Sequence, residues 1–217
     1  MRAVVFVDVQ NDFVKGGKLA FGFPAKDNVP NVIEFANKCK DRGDLLFATK
    51  DTHQKTEDKI VDLRPGEAAI GFRDEDGFPH RITGYMSTLE GKNLPVEHCI
   101  KGTKGWEIVD GLVKNAGKIN IPTGHIIEKP TFGSNNLRWR IKEAFEFVKE
   151  PIDEILICGY CTSICVVSNA LMLRAMFPDV PIYVIEDCCG DIDEASHLAA
   201  LKVMANCQIY AKLAQDA

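Results

Sequence analysis

Reactive side chains follow four short apolar segments of this sequence. Asp8 closes the first segment, Asp51 and His53 follow the second, Lys129 ends a third, and Cys165 comes soon after a fourth. A thiol can act as a nucleophile, a carboxylate can accept its proton, and an Asp-x-His pair can ligate a metal ion. Each of these residues alone is equally compatible with a purely structural role in a loop or a helix cap. Together they predict a cysteine hydrolase site with a metal beside it.

The stretch around the cysteine predicts how the thiol is presented. An apolar, β-branched run at 154–158 is typical of a buried strand, and Thr162 and Ser163 can cap a helix that continues over Cys165–Met176. A cysteine in such a strand-turn-helix unit is a candidate nucleophile, because the helix dipole is expected to lower the thiol pKa. The alternative interpretation is that Cys165 is a small buried hydrophobic side chain.

The apolar pattern alternates between strands and helices along the whole chain. The predicted strands are Ala3–Val9, Asp44–Thr49, His125–Lys129, Glu154–Cys158, Pro181–Glu186 and Gln208–Tyr210. The predicted helices are Val29–Lys40, Trp106–Asn115, Leu137–Lys149, Cys165–Met176 and Glu194–Ala205. This order predicts an α/β fold with a parallel sheet covered on both faces. The carboxyl ends of its strands share one edge, so the reactive side chains should converge there.

The composition narrows the function classes. The chain has 217 residues, 46% hydrophobic residues and a formal charge of −5, and we expect one domain over residues 1–217. It has no basic stripe, no apolar run of membrane-spanning length and no signal peptide, so we expect neither nucleic-acid nor membrane partners and a cytoplasmic location. We also expect a homo-oligomer. The charged, Gly- and Pro-rich region 54–97 is interpreted as an insertion or lid.

The eight cysteines are interpreted as reduced thiols. Most of them lie inside apolar runs, and a chain of this length does not need disulfides to be stable. A CxxC pattern occurs only at Cys158–Cys161. Without a second pair, it does not predict a structural zinc site.

Five motifs, in chain order, resemble the isochorismatase-like cysteine hydrolases, and among these the nicotinamidases. They are Asp8-Val-Gln-Asn-Asp-Phe13, Lys50-Asp51-Thr52-His53, the His98–Gly105 stretch, Lys129-Pro-Thr-Phe-Gly-Ser134 and Gly159-Tyr-Cys-Thr-Ser-Ile-Cys165. The resemblance spans nearly the whole chain. It implies a three-layer α/β/α fold with a six-stranded parallel sheet, and a catalytic triad of Asp8, Lys129 and Cys165.

The resemblance also implies a mechanism. Cys165 attacks the carbonyl carbon of a small amide, Asp8 accepts the thiol proton, and Lys129 keeps Asp8 ionised in the resting state. Backbone N–H groups of Cys161 and Cys165 are expected to stabilise the oxyanion, with a cis peptide between Tyr160 and Cys161. Ammonia leaves, and water hydrolyses the thioester.

The predicted metal ligands are Asp51, His53 and His98. One carboxylate and two imidazoles suit Zn²⁺ first, with Mn²⁺ or Fe²⁺ as alternatives. Glu90 is the first candidate for a fourth ligand, and Glu57 is the second. His80, His125 and His197 are interpreted as structural or surface histidines.

The favoured substrate is nicotinamide, converted to nicotinate in NAD salvage. Phe13 is expected either to stack on the substrate ring or to belong to the core. Nicotinamidases commonly carry an aromatic residue shortly before the second metal histidine, whereas residues 93–97 here are Asn-Leu-Pro-Val-Glu. The ring clamp is therefore missing or rebuilt from the insertion, for which Phe72, Phe78 and Tyr85 are candidates. Its absence favours another carbon–nitrogen hydrolase acting on a carbamoyl, ureido or other amide, and a non-catalytic ligand-binding protein is the third hypothesis.

Overall fold

The computed structural model describes residues 1–55, 96–115 and 118–217. Its strands are β1 (Ala3–Val7), β2 (Leu45–Asp51), β3 (Lys114–Asn115), β4 (Lys118–Ile119), β5 (Ile126–Lys129), β6 (Ile155–Tyr160), β7 (Ile182–Gly190) and β8 (Ile209–Lys212). Its α-helices are α1 (Val29–Asp41), α2 (Asn135–Val148), α3 (Val167–Met176) and α4 (Glu194–Asn206). The predicted region 54–97 lies almost entirely outside the described residues.

Six of the strands form one parallel sheet in the order β5-β2-β1-β6-β7-β8. The central strands β1 and β6 are buried along their whole length, as expected for apolar strands covered on both faces. The chain first builds outward from β1 to β2 and β5, then crosses to β6 and builds in the other direction. The gap between β1 and β6 is therefore the topological switch point, where ligands bind in open α/β sheets.

The helices lie in two layers because parallel crossovers are right-handed. The crossover from β1 to β2 runs in the opposite direction to those leading to β6, β7 and β8, which places α1 on one face and α2, α3 and α4 on the other. The contacts agree, since α3 packs against both α2 and α4, while α1 packs against β2 and β7. The predicted three-layer α/β/α fold with a six-stranded parallel sheet is confirmed.

Gly159 was expected to end the central strand, yet β6 continues to Tyr160. Gly159 has φ +127°, and a Cβ atom placed on it would lie 2.0 Å from the carbonyl oxygen of Val7. Only glycine allows the neighbouring strand β1 to approach this closely. The pairing of β6 with β7 shifts register between Ile157 and Gly159.

One predicted helix is absent from the structure, and one predicted strand is longer than expected. The predicted helix at Trp106–Asn115 is wrong: this segment forms turns, and Ile108 makes an antiparallel bridge to Gln10. Tertiary pairing with the loop after β1 overrides the local helical pattern. Strand β7 continues four residues beyond the predicted end at Glu186. Within the parts of the chain described, no helix combines the length and the apolar character needed to cross a membrane.

Candidate active site

Three reactive side chains meet at the switch point. Asp8 follows β1, Lys129 is the last residue of β5, and Cys165 lies in the turn after β6. Asp8 has the left-handed backbone conformation, with φ 50°, so the chain turns directly after the strand. The parallel sheet thereby brings residues that are more than 150 positions apart in sequence to one edge.

An ion pair lies at the centre of this cluster. Nζ of Lys129 is 2.6 Å from Oδ2 of Asp8 and 3.6 Å from Sγ of Cys165. All three side chains are buried, with Lys129 exposed by only 2% and Asp8 not at all. A buried lysine is stable only when its charge is compensated. The ammonium is therefore held between the carboxylate and the thiol.

Burial and charge set the protonation of the three groups. Burial raises the pKa of Asp8 above its ordinary value, although the Lys129 ammonium works against this rise. Burial by itself disfavours the ammonium of Lys129, but Asp8 and then Cys165 raise its pKa above the ordinary value. The Asp8 carboxylate is therefore more basic than an ordinary aspartate, and it lies against a lysine that is held protonated.

The Cys165 thiol is neutral in the resting structure. Burial raises its pKa well above the ordinary value, and Lys129 offsets this only in part. The expected lowering of the thiol pKa is wrong: the π-type turn Thr162–Val166 that holds Cys165 leads directly into α3, but burial dominates the shift. Desolvation of the thiolate outweighs the helix dipole here. A nucleophilic attack by this thiol would require a base, and Asp8 is the carboxyl group beside it.

The predicted capping by Thr162 and Ser163 is also wrong. No side chain caps this turn. The Thr162 hydroxyl donates to the carbonyl of Gly190 at 3.1 Å, and the Ser163 hydroxyl donates to Oδ1 of Asp191 at 2.8 Å. Both hydroxyls therefore bind residues at or directly after the end of β7.

Of the predicted oxyanion donors, Cys161 directly precedes this turn and Cys165 lies within it. The peptide between Tyr160 and Cys161 is cis, and the carbonyl of Cys161 accepts from the N–H groups of Ile164 at 3.2 Å and Val166 at 3.0 Å. The turn therefore folds back on Cys161 and brings its backbone near that of Cys165. The Cys161 thiol itself donates to Asp191 at 2.9 Å. Burial and this contact raise its pKa to about 12.

The structure also brings Asp51, His53 and His98 together. Their ligand atoms lie within 4.8 Å of one another, and all three residues are buried. Oδ2 of Asp51 is 2.9 Å from Nε2 of His53 and 3.3 Å from Nε2 of His98. Burial alone would raise the pKa of Asp51, but Lys129 and the two imidazoles lower it below the ordinary value. A carboxylate and two imidazole nitrogens converging in this way fit a divalent metal ion.

Backbone and side-chain contacts orient these ligands. Nδ1 of His98 lies 2.8 Å from the carbonyl of Val96, which directs its Nε2 towards Asp51. Gln10, fully buried, binds both the N–H and the carbonyl of Asp51, at 2.7 and 2.9 Å. Asp12 accepts from the N–H of Cys99 at 2.8 Å, next to His98. The loop after β1 thus holds in place both Asp8 and the candidate ligands Asp51, His53 and His98, here called the metal cluster.

The sequence as a whole identifies the family. The isochorismatase domain model matches residues 2–215. The chain belongs to the isochorismatase family. Its relatives include the nicotinamidase of Schizosaccharomyces pombe, 26% identical over 95% of this chain and 90% of that protein. The "Probable inactive nicotinamidase" of Arabidopsis thaliana is 28% identical, over 94% of this chain and 88% of that protein.

A solved structure of the same fold is the pyrazinamidase of Pyrococcus horikoshii in complex with zinc. It matches with a TM-score of 0.62 and 23% identity, covering 98% of each chain. Identity at this level establishes the shared fold.

The remaining predicted residues of this isochorismatase-family protein have varied outcomes. Phe13 is buried and packs against His98 at a centroid distance of 5.4 Å and against Phe21 at 5.3 Å. It therefore belongs to the core while bordering the metal cluster. The candidate ligands Glu90 and Glu57 lie outside the described residues. So do His80 and the candidate clamp residues Phe72, Phe78 and Tyr85.

Two histidines are structural, as predicted. His125 stacks on Phe47 at 4.4 Å, and its Nδ1 lies 3.0 Å from the carbonyl of Leu46. His197 is buried, with Nδ1 2.9 Å from the hydroxyl of Thr162. Burial lowers the pKa of His197 below its ordinary value.

Several supporting residues escaped the sequence interpretation. Thr49 donates to Oδ1 of Asp8 at 2.7 Å, and Asn169 donates to the carbonyls of Cys165 and Phe132 at 2.8 and 3.0 Å. Asp191 follows β7 at the same edge. Applying the rule of polar residues at strand ends to β7 would have found it, had the strand not been predicted to end at Glu186.

Proposed function

We propose that this protein hydrolyses a small amide through a thioester on Cys165, and that the substrate is nicotinamide. The observation that carries the proposal is the Asp8–Lys129–Cys165 cluster at the switch point. A lysine held within 2.6 Å of a buried carboxylate and 3.6 Å of a thiol is an arrangement that a simple ligand-binding protein does not require. The nicotinamidase of Schizosaccharomyces pombe, 26% identical over nearly the whole chain, supports this choice of substrate.

The first half-reaction forms the thioester. The sulfur of Cys165 bonds to the amide carbon as Asp8 accepts the thiol proton, and the carbonyl electrons move to oxygen. Backbone N–H groups of Cys161 and Cys165 stabilise that oxygen. Collapse of the tetrahedral intermediate breaks the carbon–nitrogen bond, and protonated Asp8 gives its proton to the leaving nitrogen, which departs as ammonia.

The second half-reaction regenerates the thiol. Asp8, ionised again, accepts a proton from water as the water oxygen bonds to the thioester carbon. The carbon–sulfur bond then breaks, the acid is released, and the proton returns to Cys165. Lys129 stabilises the ionised form of Asp8 at both stages, so one carboxylate serves first as base and then as acid.

Asp51, His53 and His98 would hold a divalent ion, for which zinc is our first choice and manganese or iron the alternatives. When bound, the ion offers an open coordination position to a ring nitrogen or a water molecule. The pyrazinamidase of Pyrococcus horikoshii, solved with zinc, supports this choice. Phe13, packed against His98, would border the substrate on the same side.

A second candidate is an amidase acting on a carbamoyl, ureido or other small amide. It is favoured by the absence of an aromatic residue at 93–97, since a substrate without an aromatic ring needs no clamp. The triad chemistry would be unchanged. A non-catalytic ligand-binding role is the third candidate, because the relative from Arabidopsis thaliana is named a "Probable inactive nicotinamidase".

Ammonia release from a panel of amides headed by nicotinamide tests the proposal. Wild-type protein should release ammonia and Cys165→Ala should release none. Cys207→Ala is the matched control, because this half-buried cysteine precedes β8 at the opposite edge of the sheet. Release only from carbamoyl or ureido compounds would replace nicotinamide by the second candidate. Silence across the panel, or activity retained in Cys165→Ala, would contradict the mechanism.

A further inference from the structure

Asp191 has a buried carboxylate that the triad mechanism does not use. It follows β7 and is not exposed to solvent. Oδ1 accepts from the thiol of Cys161 at 2.9 Å, the hydroxyl of Ser163 at 2.8 Å and the N–H of Ile192 at 2.7 Å. Oδ2 accepts from the N–H of Ser163 at 2.8 Å. Three of these four donors belong to the segment Cys161–Ser163, which begins with the expected oxyanion donor.

The carboxylate is stabilised by hydrogen bonds and not by an ion pair. Over residues 1–55, 96–115 and 118–217, the structure shows no lysine or arginine in a salt bridge with Asp191. Burying a carboxylate without a cation is costly unless several donors satisfy it. Those donors come mainly from one three-residue segment, so the charge of Asp191 fixes the conformation of that segment.

The backbone beside Asp191 holds the same region. A Cβ atom on Gly190 would lie 2.3 Å from the ring of Tyr160, so the end of β7 packs directly against the residue before Cys161. Asp191 also exchanges two backbone hydrogen bonds with Phe23, at 3.0 and 2.8 Å. Asp191 is therefore anchored independently of the contacts made by its side chain.

We propose that Asp191 is a positioning residue that sets the direction of the Cys161 N–H group in the oxyanion site. Such a donor is effective only at hydrogen-bond distance from the developing oxyanion, and small displacements cost much of the rate. This proposal rests on the proposed function in one respect: Cys165 must form a tetrahedral adduct. It requires that Cys165 can add to a pyridine carbonyl compound, but not that any amide is hydrolysed.

The test uses an aldehyde in place of a substrate. The thiol of Cys165 adds to pyridine-3-carbaldehyde: a carbon–sulfur bond forms, the carbon–oxygen π bond breaks, and the oxygen occupies the oxyanion site with the thiol proton retained on it or on Asp8. The adduct protects Cys165 from alkylation by iodoacetamide, measured by mass spectrometry of the Cys165 peptide. The half-protecting aldehyde concentration reports on the oxyanion site. The alkylation rate without aldehyde reports on the nucleophile.

Asp191→Asn keeps the shape of the side chain but replaces one acceptor oxygen by a donor group. We expect the half-protecting concentration to rise about tenfold or more, since one misdirected donor weakens oxyanion binding on this scale. The alkylation rate should change by less than about threefold, because it depends on the thiol and its base. On a hydrolysed amide, kcat should fall while KM stays nearly constant.

Asp193→Asn is the matched control. It makes the same substitution two residues further on, in an exposed side chain that caps α4 by accepting from the N–H of Ser196 at 2.7 Å. Asparagine caps helices as well as aspartate, so both readouts should equal those of the wild type. If Asp191→Asn does not fold, Ser163→Ala carries the test, with a smaller rise in the half-protecting concentration expected.

The outcomes separate this proposal from the proposed function. Equal protection in wild type and Asp191→Asn overturns the proposal, as does a parallel loss of protection and alkylation rate, which would show a general structural role. A wild-type protein that the aldehyde does not protect also overturns it. Normal wild-type protection that Asp191→Asn weakens, without hydrolysis of any panel amide, leaves the positioning role in place and contradicts only the proposed function.

Discussion

Nζ of Lys129 lies 2.6 Å from Oδ2 of Asp8, and neither side chain is exposed by more than 2%. The same ammonium is 3.9 Å from Oδ1 of Asp51, because Asp51 and Lys129 are register partners at the ends of β2 and β5. One lysine therefore compensates both the carboxylate of the triad and that of the metal cluster. Lys129 thus links the proposed nucleophile site to the proposed metal site.

Removing that charge should cost both activity and stability. Lys129→Met leaves a buried carboxylate without its cation, and we expect the free energy of unfolding to fall by about 3–5 kcal/mol. Urea unfolding measures the change. In the double variant with Asp8→Asn, most of the stability should return because the Asp8 carboxylate is gone and Asp51 keeps His53 and His98 beside it, while amide hydrolysis stays absent. Equal losses in the single and double variants would show that the pair is not coupled in this way.

Loss of a ligand histidine should strip the metal from the protein. For His98→Ala we expect the divalent metal content, measured by elemental analysis after gel filtration, to fall at least tenfold, as two ligands bind far more weakly than three. His125→Ala is the control, since that histidine packs on Phe47 away from the cluster. Unchanged metal in His98→Ala would rule out the ligand set.

Stability should decline in mild acid because of His197. Burial lowers the pKa of this histidine, although the charges of Asp191, Glu186 and Glu194 oppose the shift. Below its ordinary pKa of about 6.5, the unfolded state binds a proton that the folded state does not, so stability is present above that pH and is lost as the pH falls. The melting temperature of His197→Gln should therefore drop less between pH 7 and pH 5 than that of the wild type. Identical drops would contradict the assignment.

Gly159→Ala should disrupt the central strands. An added methyl group would lie 2.0 Å from the carbonyl oxygen of Val7, at a backbone angle that alanine rarely adopts. We expect a loss of about 3 kcal/mol or more in unfolding free energy, the upper range for overpacking. Gly124→Ala is the matched control, with no atom within 4 Å of its added carbon, and should unfold like the wild type. A stable Gly159→Ala would show that β1 and β6 can separate locally.

The sequence alone determined the architecture of this protein and which residues are candidates for catalysis. Alternating apolar runs and helical periods imply a parallel sheet, because each strand must be covered on both faces. Asp8, Lys129 and Cys165 stand out because each comes at or after the end of such a run, and strand ends in a parallel sheet share one edge. These are local signals, and a local pattern suffices to detect them.

Only the tertiary structure decided the protonation and the hydrogen bonds that depend on contacts between residues distant in sequence. The protonation of Cys165 follows from burial among β1, β5 and β6, and this overrides the effect expected from a helix N-terminus. The hydroxyls of Thr162 and Ser163 bind the end of β7 and do not cap the turn that these two residues begin. The sequence pattern did not indicate Asp191, because the predicted strand ends at Glu186 whereas β7 continues for four more residues. Desolvation and long-range hydrogen bonds depend on which elements pack together, which no single segment of the sequence encodes.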